Sequence, residues 1–443
     1  MTNHSLALPR FSSIASRTLA VVFLVAAASS VSCRFTSTTE TNVAEPRFVA
    51  PGEFEPQEYI WLFWNEAGFL GGPPFGNTLV EMMRALTPHA KVRLMFGNWT
   101  GSVERDASQT PLTPEAAETR LRARLVHEGI DLRRVELFHS GVLFGALQDP
   151  GPTFLRRSDG QLAVADYGFA HPDPAVETID RSIAARLGLP TVSSKLVSEG
   201  GARQSNGKGT IMLVESVEFD RNPGWTRERI AAEHLRVNGA RKVVWLKSGP
   251  KEEQWGKLED GRWGIGTGGH IDQFARFVDP KTIVLAQVVE SERDASPILR
   301  ETYERMERNA AILSKATDQD GNPFRVLRVP MPQQMTWRVN FDELTRTERY
   351  WFEGAMKGES IEFYLPASYL NFILANGVLL TSKYWREGEP ESMRERDALA
   401  RDALAVAFPD RRIIQIDARA MLHDGAGLHC WSCNQPFATA ASR

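Results

Sequence analysis

Short apolar runs alternate with amphipathic stretches along most of this chain, and that alternation limits the fold more than any other feature. The apolar runs have the length and composition of buried strands, and the amphipathic stretches have helical spacing. The predicted strands are 59–64, 91–96, 135–138, 161–165, 192–197, 210–214, 242–246, 282–289, 324–329, 377–382 and 412–416. The predicted helices are 114–125, 226–237, 296–316 and 398–407. Strands and helices that alternate in this way predict an α/β fold.

Two long segments interrupt the alternation, 251–265 and 336–359. Both are charged, contain tryptophan and lack a clear period, which is typical of surface insertions. The chain has 443 residues, enough for one large domain or two small ones. We predict that residues 48–443 form a single domain.

Residues 1–33 have the layout of an export signal. Arg10 and Arg17 precede the apolar stretch 19–28, and a small residue precedes Cys33. The apolar stretch is too short to cross a bilayer as a mature helix. Three interpretations stay open: a lipoprotein signal that leaves a lipid on Cys33, an ordinary cleaved signal, and a chance apolar N-terminus. Either signal predicts an exported protein that is periplasmic, anchored to a membrane by the lipidated Cys33, or secreted.

The segment 34–47 and the overall charge each lead to a separate prediction. Residues 34–47 are polar and rich in Thr and Glu, which predicts a flexible linker. The whole chain carries 52 Lys and Arg against 55 Asp and Glu, for a formal net charge of −3, and has no long basic run. We therefore do not expect the protein to bind nucleic acid.

Cys430 is the strongest candidate for a nucleophile. It follows His429 directly and lies shortly after Gly425 and Gly427, which allow a backbone to approach a ligand closely. A lone buried Cys is more often a structural thiol, and the Cys-x-x-Cys spacing to Cys433 is also found in redox and zinc sites. A structural zinc site would need a second Cys pair, which the sequence lacks. A thioredoxin-type pair lies at the start of a helix early in a small fold, whereas Cys430 and Cys433 lie near the end of a long chain. We interpret Cys430 as an activated thiol, with no metal site.

Two further patches carry groups that move protons or bind cations. His270 and Asp272 alternate along a segment that we predict to be extended, so that both side chains would point the same way. They could bind a metal, satisfy each other structurally, or act on a substrate. Glu199 precedes two glycines at the end of the predicted strand 192–197, where sites commonly form. Arg276 is interpreted as an internal salt-bridge partner.

The combination of a thiol, an imidazole and several carboxylates in glycine-flanked turns indicates guanidine chemistry. A sulfur adds to the cationic carbon, an imidazole moves protons, and carboxylates hold the positive charge.

The chain resembles the agmatine deiminase and bacterial peptidylarginine deiminase family of guanidino-group-modifying enzymes. The resemblance runs from about Phe54 to Pro436 and consists of segments that follow each other in the family's order. These are Glu53 to Glu58, Asp149-Pro150-Gly151-Pro152, Glu199-Gly200-Gly201, Arg221 to Gly224, His270 to Phe277, and the segment around Cys430.

The resemblance implies a pentein-type α/β propeller, in which five ββαβ-like modules surround a central active-site channel. It also implies that Cys430 attacks the guanidinium carbon and that Asp149 and Asp272 bind the guanidinium nitrogens. His270 would transfer protons and Glu199 would orient it. The product would be a ureido compound plus ammonia, and no cofactor would be required. Agmatine as substrate would connect the enzyme to putrescine biosynthesis.

Several positions depart from the family pattern and affect the expected substrate. Ala146 and Gln148 replace a Trp and an Arg, Ala426 interrupts the glycine run before the nucleophile, and 171–174 replaces arginines that bind a peptide carboxylate. The substrate class is therefore agmatine or peptidyl-arginine. The alternatives are a noncatalytic guanidinium-binding protein, an amidinotransferase and a thiol oxidoreductase.

Overall fold

A computed structural model describes residues 47–97, 112–140, 145–171 and 173–438 of the chain. These residues belong to one compact unit. The predicted export signal 1–33, including Cys33, and nearly all of the predicted linker 34–47 lie outside the described residues. No helix in the described part of the chain is both long and apolar enough to cross a membrane.

The described residues form the mixed α/β fold that the alternation predicts. The strands are β1 (Gln57–Trp64), β2 (Lys91–Phe96), β3 (Val135–His139), β4 (Thr153–Arg156), β5 (Leu162–Gly168), β6 (Thr191–Val197), β7 (Arg203–Ser205), β8 (Thr210–Val214), β9 (Lys242–Leu246), β10 (Gly256–Lys257), β11 (Trp263–Gly264), β12 (Ala275–Asp279), β13 (Thr282–Gln287), β14 (Arg325–Pro330), β15 (Met335–Asn340), β16 (Ser360–Leu365), β17 (Ile373–Ala375), β18 (Val378–Lys383), β19 (Arg412–Asp417) and β20 (Ser432–Pro436). The helices are α1 (Gly76–Leu86), α2 (Pro114–His127), α3 (Pro174–Glu177), α4 (Ile179–Leu187), α5 (Glu215–Arg221), α6 (Arg227–Val237), α7 (Pro297–Leu313), α8 (Arg346–Arg349), α9 (Glu391–Ala407) and α10 (Arg419–Leu422).

One sheet pattern recurs along the chain. In the sheets β4-β5-β6, β7-β8-β9, β12-β13-β14 and β17-β18-β19, the first two strands are antiparallel and the last two are parallel. One or two helices connect each parallel pair, as a crossover between parallel strands requires. The sheet β20-β1-β2-β3 repeats the pattern with one parallel strand more. Five of the six sheets in the described residues thus share one connectivity.

The first and last strands of the described body pair with each other. In the antiparallel pair β1–β20, Trp61 lies opposite Cys433 and Leu62 lies opposite Ser432. Trp61 is fully buried, and its indole Nε1 donates to Oε1 of Gln435 at 2.8 Å. This pairing anchors the segment that immediately follows Cys430.

The two predicted surface insertions contribute strands to one sheet, although neither has a clear period in the sequence, and the fourth strand, β16, directly follows the second insertion. Strands β10 and β11 from 251–265 join β15 and β16 in the order β10-β11-β16-β15. The β11–β16 pair places Trp263 beside Phe363, and both side chains are buried. Short strands are regular here because partners about a hundred positions away supply the hydrogen bonds and the core contacts.

The helix ends follow the capping signals in the sequence. Thr113 caps α2 by accepting from the backbone N–H of Ala116, and Thr226 caps α6 by accepting from Arg229. Helix α9 begins at Glu391, earlier than the predicted start at residue 398, directly after Pro390. The first N–H groups of a helix have no partner within the helix. Proline has no N–H group, so its position at the start of α9 is favourable.

Candidate active site

Cys430 lies in the turn between α10 and β20 and is 1% exposed. Its Sγ lies 3.2 Å from Nδ2 of Asn371 and 3.8 Å from Oδ2 of Asp272. Gly427 makes this arrangement fit, because a Cβ there would lie 2.4 Å from Oδ1 of Asn371. Burial, together with the charges of Asp272 and Asp149, raises the pKa of the Cys430 thiol well above its usual range. The free site therefore holds a neutral thiol.

Asn371 joins the nucleophile to the neighbouring carboxylate, and the sequence did not identify it. Its Nδ2 donates to Oδ2 of Asp272 at 3.0 Å as well as to Cys430, while its Oδ1 accepts from the backbone N–H of His429 at 2.8 Å. The side chain is 1% exposed. Asn371 thus holds both the backbone N–H of His429 and the Sγ of Cys430.

His270 and Asp272 are brought together by a turn rather than by the extended segment that we predicted. Gly268 and Gly269 adopt positive φ of 88° and 102°, and Ile271–Gln273 form a 3₁₀ turn. Such φ values favour glycine, so the turn depends on both residues. Asp272 is fully buried, and its Oδ1 has no hydrogen-bond partner among the described residues.

His270 lies between two carboxylates. Its Nδ1 is 3.5 Å from Oδ1 of Asp149, and its Nε2 is 3.7 Å from Oε2 of Glu199. Neither ring nitrogen has a hydrogen-bond partner within the described residues, although the ring is 1% exposed. Burial opposes the charged form, but Asp149 and Glu199 outweigh it and raise the pKa of His270 to about 9. An imidazolium with both N–H groups available results.

The two carboxylates beside His270 differ in their electrostatics. Burial, reinforced by Glu199 and Asp272, raises the pKa of Asp149 to about 6. Glu199 follows β6, and its Oε1 accepts from Nε of Arg221 at 2.5 Å. Burial opposes ionisation of Glu199, but contact with His270 and with Arg221 lowers its pKa to about 2. Glu199 is therefore a permanent anion, whereas Asp149 can respond to a bound cation.

Gly201 lets these groups approach each other. Its N–H donates to Oδ1 of Asp149 at 3.3 Å. A Cβ on Gly201 would lie 2.7 Å from Nδ1 of His270, 3.0 Å from Oδ1 of Asp149 and 3.1 Å from Oδ2 of Asp272. The predicted turn after Glu199 thus lies at the centre of the site.

His429 and Arg276 belong to a buried charged group beside the site. His429 contacts Oδ2 of Asp272 through Nδ1 at 2.7 Å and Oε2 of Glu53 through Nε2 at 3.0 Å. Arg276 forms an ion pair with Glu53 and also donates to Oε1 of Gln204 at 3.1 Å. The internal salt-bridge partner that we predicted for Arg276 is Glu53.

The Cys-x-x-Cys pair consists of two free thiols with different surroundings. Cys430 and Cys433 are both buried and unbridged. The Sγ of Cys433 lies 3.2 Å from the carbonyl oxygen of Leu147, and this residue packs in a core cluster with Trp61, whereas Cys430 packs with Trp431. Within the described ranges, no group of three or more His, Cys, Asp or Glu is arranged to hold a metal ion.

The structure brings all five predicted site residues, Cys430, His270, Glu199, Asp149 and Asp272, into one buried cluster. The sequence did not identify Asn371 as a site residue, nor the contacts of Glu53 with His429 and Arg276. Glu53 could be noticed only as the start of the first resembling segment, and Asn371 had no such signal. A thiol, an imidazolium and partly unpaired carboxylates in one place can bind a planar cation and attack its carbon.

Comparisons with known proteins show which family and which solved structures the chain is similar to. Residues 49–436 match the model of the Porphyromonas-type peptidyl-arginine deiminase family. The agmatine deiminase of Pseudomonas putida is 25% identical over 413 residues, which are 88% of this chain and 95% of that protein. A Streptomyces coelicolor protein with a provisional agmatine deiminase name is 29% identical over 398 residues, 88% of this chain and 99% of that protein. The solved agmatine deiminase of Enterococcus faecalis, at 21% identity, has a TM-score of 0.66 over 88% of this chain and 96% of its own, which shows the shared fold.

Proposed function

This chain belongs to the Porphyromonas-type peptidyl-arginine deiminase family, and from that membership we propose that its substrate is a small guanidinium compound, with agmatine as the first candidate. The chain is a hydrolase of the deiminase type. The guanidinium group and one water are converted to a ureido group and ammonium, and this reaction needs no cofactor.

One observation supports the proposed site more than any other. Four buried polar atoms around Cys430 have no hydrogen-bond partner among the described residues: Nδ1 and Nε2 of His270, Oδ1 of Asp272 and Oε2 of Glu199. Unpaired buried polar atoms are costly unless a ligand uses them. Carboxylate oxygens that face a thiol suit the N–H groups of a guanidinium.

We assign the chemical steps as follows. Asp149 and Asp272 bind the guanidinium nitrogens, and the Cys430 thiolate forms a bond to the guanidinium carbon. His270 gives its proton to one amino nitrogen, which leaves as ammonia and leaves an amidino group on the sulfur. His270 then takes a proton from water, whose oxygen attacks the same carbon. The carbon–sulfur bond breaks, the hydroxyl group loses its remaining proton to solvent, where that proton converts the ammonia to ammonium, and the ureido product and the thiolate are released.

The pKa shifts support a site that is activated by its substrate. Burial, and after it the charges of Asp272 and Asp149, raises the pKa of Cys430 in the free enzyme. A guanidinium held between these carboxylates would cancel part of their charge, and it would favour the thiolate directly by its own positive charge. The nucleophile would then form mainly when a substrate is present.

Agmatine is preferred over a peptide because named agmatine deiminases match almost their full length to this chain. Its product would be a carbamoylated diamine, a step towards putrescine. Peptidyl-arginine is the second candidate, since the matching family model carries that name and the N-terminal sequence predicts export. The segment 171–174, which lacks arginines for a peptide carboxylate, favours the smaller substrate.

We also propose how the sheets and the N-terminus serve this function. The five sheets of like connectivity are arranged as a pentein-type propeller of ββαβ modules, with the site in the central channel. Residues 1–33 export the protein, residues 34–47 link it to its anchor, and Cys33 carries a lipid that attaches it to a membrane. Lipid attachment can be tested by mass spectrometry of the N-terminal peptide after expression with and without Cys33→Ala.

The experiment that tests the function is an assay for ureido product and ammonia over agmatine, free arginine, and peptides with internal or C-terminal arginine. We expect the highest kcat/KM with agmatine. A higher value with a peptide would replace agmatine by the second candidate. Absence of turnover with every substrate, in a protein that binds guanidinium compounds, would favour a noncatalytic binder.

A further inference from the structure

Four charged side chains, of which all but the partly exposed Glu53 are buried, form a continuous chain that ends at the predicted guanidinium site. In order they are Arg276, Glu53, His429 and Asp272, and we call them the charged chain. Arg276 pairs with Glu53, Glu53 accepts from Nε2 of His429 at 3.0 Å, and Oδ2 of Asp272 accepts from Nδ1 at 2.7 Å. The signs of charge alternate along it when His429 is protonated. Each charge in the charged chain therefore has a partner of opposite charge within the protein.

The electrostatics agree with a protonated His429. Burial and Arg276 oppose the imidazolium, but Glu53 and the hydrogen bonds to Asp272 and Glu53 outweigh them and raise the pKa of His429. Burial also opposes ionisation of Glu53, but His429 and Arg276 lower its pKa to about 2. Both ring nitrogens of His429 therefore donate, and each donates to a carboxylate.

The charged chain fixes one oxygen of Asp272 and leaves the other free. Oδ2 accepts from His429 and from Nδ2 of Asn371 at 3.0 Å, whereas Oδ1 has no partner among the described residues. Asp272 itself is 0% exposed. A carboxylate with one oxygen held from two directions cannot rotate freely. Its second oxygen then has a defined direction before any substrate arrives.

We propose that His429 is a positioning residue that directs Oδ1 of Asp272 towards the substrate guanidinium by holding Oδ2 through Nδ1. This inference rests on the proposed guanidinium site and adds to it a residue that does not touch the substrate. Asn371 assists from the side of the nucleophile, and Glu53 with Arg276 holds the far side of the imidazole ring. His429 would act on cation binding through Asp272 rather than on the sulfur directly.

Two substitutions separate this role from simple packing. The amide nitrogen of Asn lies near the place of a histidine Nδ1, and that of Gln lies near the place of Nε2. His429→Asn can therefore keep the donor to Asp272 and lose the one to Glu53, whereas His429→Gln does the reverse. The backbone N–H of residue 429 still reaches Asn371 in both variants. The positioning role predicts that the Asn variant keeps more function than the Gln variant.

The readout is the rate at which two matched reagents alkylate Cys430. Chloroacetamidine is cationic and resembles a guanidinium, and chloroacetamide is its neutral analogue with the same leaving group. We expect the cationic reagent to alkylate the wild type faster than the neutral one does. In His429→Gln the ratio of the two rates should fall about tenfold, as expected for a misaligned charge-assisted hydrogen bond. His429→Asn should stay within about threefold of wild type, because its donor to Asp272 is kept. The melting temperature of each variant shows that it is folded.

The alkylation rates of the wild type and the two variants test the positioning role of His429. Equal preference in the wild type and both variants, or equal loss in both folded variants, would overturn the positioning role. A wild type with no preference for the cationic reagent would instead contradict the proposed guanidinium site. If the Gln variant does not fold, the Asn variant alone decides, because complete loss of its preference would overturn the role and a kept preference supports it. With a turned-over substrate, the Gln variant should raise KM more than it lowers kcat.

Discussion

A Cβ atom on Gly201 would lie 2.7 Å from Nδ1 of His270, closer than Cβ atoms approach such neighbours in folded proteins. The backbone at Gly201 therefore forms part of the wall against which the imidazole lies. This contact connects the turn after β6 to the turn that carries His270 and Asp272. The glycine is needed for space, since its φ is not in the left-handed region.

Gly201→Ala should give a folded protein with kcat/KM reduced by about a hundredfold or more, because a misplaced catalytic group has effects of that size. Gly76→Ala is the matched control, since Gly76 begins α1 and its Cβ would meet only the flexible Glu66 at 3.3 Å. That control should keep its activity and be equally or more stable, by up to about 1 kcal/mol. Steady-state kinetics and thermal melting measure both. Normal activity of Gly201→Ala would mean that His270 can move without loss.

Cys430→Ala should abolish turnover, and Cys433→Ala should retain most of it. Only Cys430 contacts Asp272 and Asn371, whereas Cys433 faces the carbonyl oxygen of Leu147. The Cys433 variant should lose roughly 1 kcal/mol of unfolding free energy, since a small buried side chain is truncated. Ammonia release and thermal melting distinguish the two effects. Equal loss of activity from both changes would remove the distinction between the thiols.

Asp149→Asn and Asp272→Asn should each fold and lose guanidinium turnover. Each change removes a charge-assisted hydrogen bond of about 1.5–3 kcal/mol, which lowers kcat/KM by roughly tenfold to a hundredfold or more. Asp180→Asn is the control, because Asp180 is buried in α4 outside the site and burial raises its pKa to about 7. Its turnover should be close to that of the wild type. Near-normal rates in either site variant would show that the carboxylate there is structural.

The pH dependence of kcat/KM should have an acidic limb and a basic limb. Asp149 binds the cation only when ionised, and its pKa of about 6 makes kcat/KM rise steeply as the pH increases through that value. His270 must carry a proton for the leaving nitrogen while the free Cys430 thiol must lose one, so the rise should level off as the pH increases through the His270 pKa of about 9, which is the basic limb.

Glu199→Gln tests the origin of the basic limb of that profile. The change removes a carboxylate that stabilises the His270 imidazolium, so the pKa of His270 should fall and the basic limb should move to lower pH. The acidic limb should shift less, since burial is the main cause of the raised pKa of Asp149. A basic limb that stays in place would assign it to another group.

Local sequence signals predicted the core elements well. The predicted bounds of β2, β8 and β9 agree with the structure, because each is a short and mostly apolar run. Asn206-Gly207, a residue pair that favours a hairpin turn, connects the antiparallel β7 and β8, with a φ of 68° at Gly207. In these places the local preference and the tertiary structure agree.

The errors occur where distant partners determine the structure. Strand β11 has two residues and is regular only because β16 pairs with it a hundred positions later. The role of Asn371 arises from contacts with residues 59 and 99 positions away, which no local pattern contains. The extended geometry expected for His270 and Asp272 failed because two glycines with positive φ precede a 3₁₀ turn.

The pairing of β1 with β20 sets a time at which the enzyme can become active. Trp61 and Gln435, which hydrogen-bond across the two strands, are separated by 374 positions. During synthesis, Asp149, Glu199 and His270 are added to the chain long before β20, the strand that anchors Cys430. A nascent or truncated chain that ends before this segment lacks both the nucleophile and His429, whose Nδ1 contacts Asp272 on the cation-binding side. The deiminase is thus silent until its last strand has docked on its first.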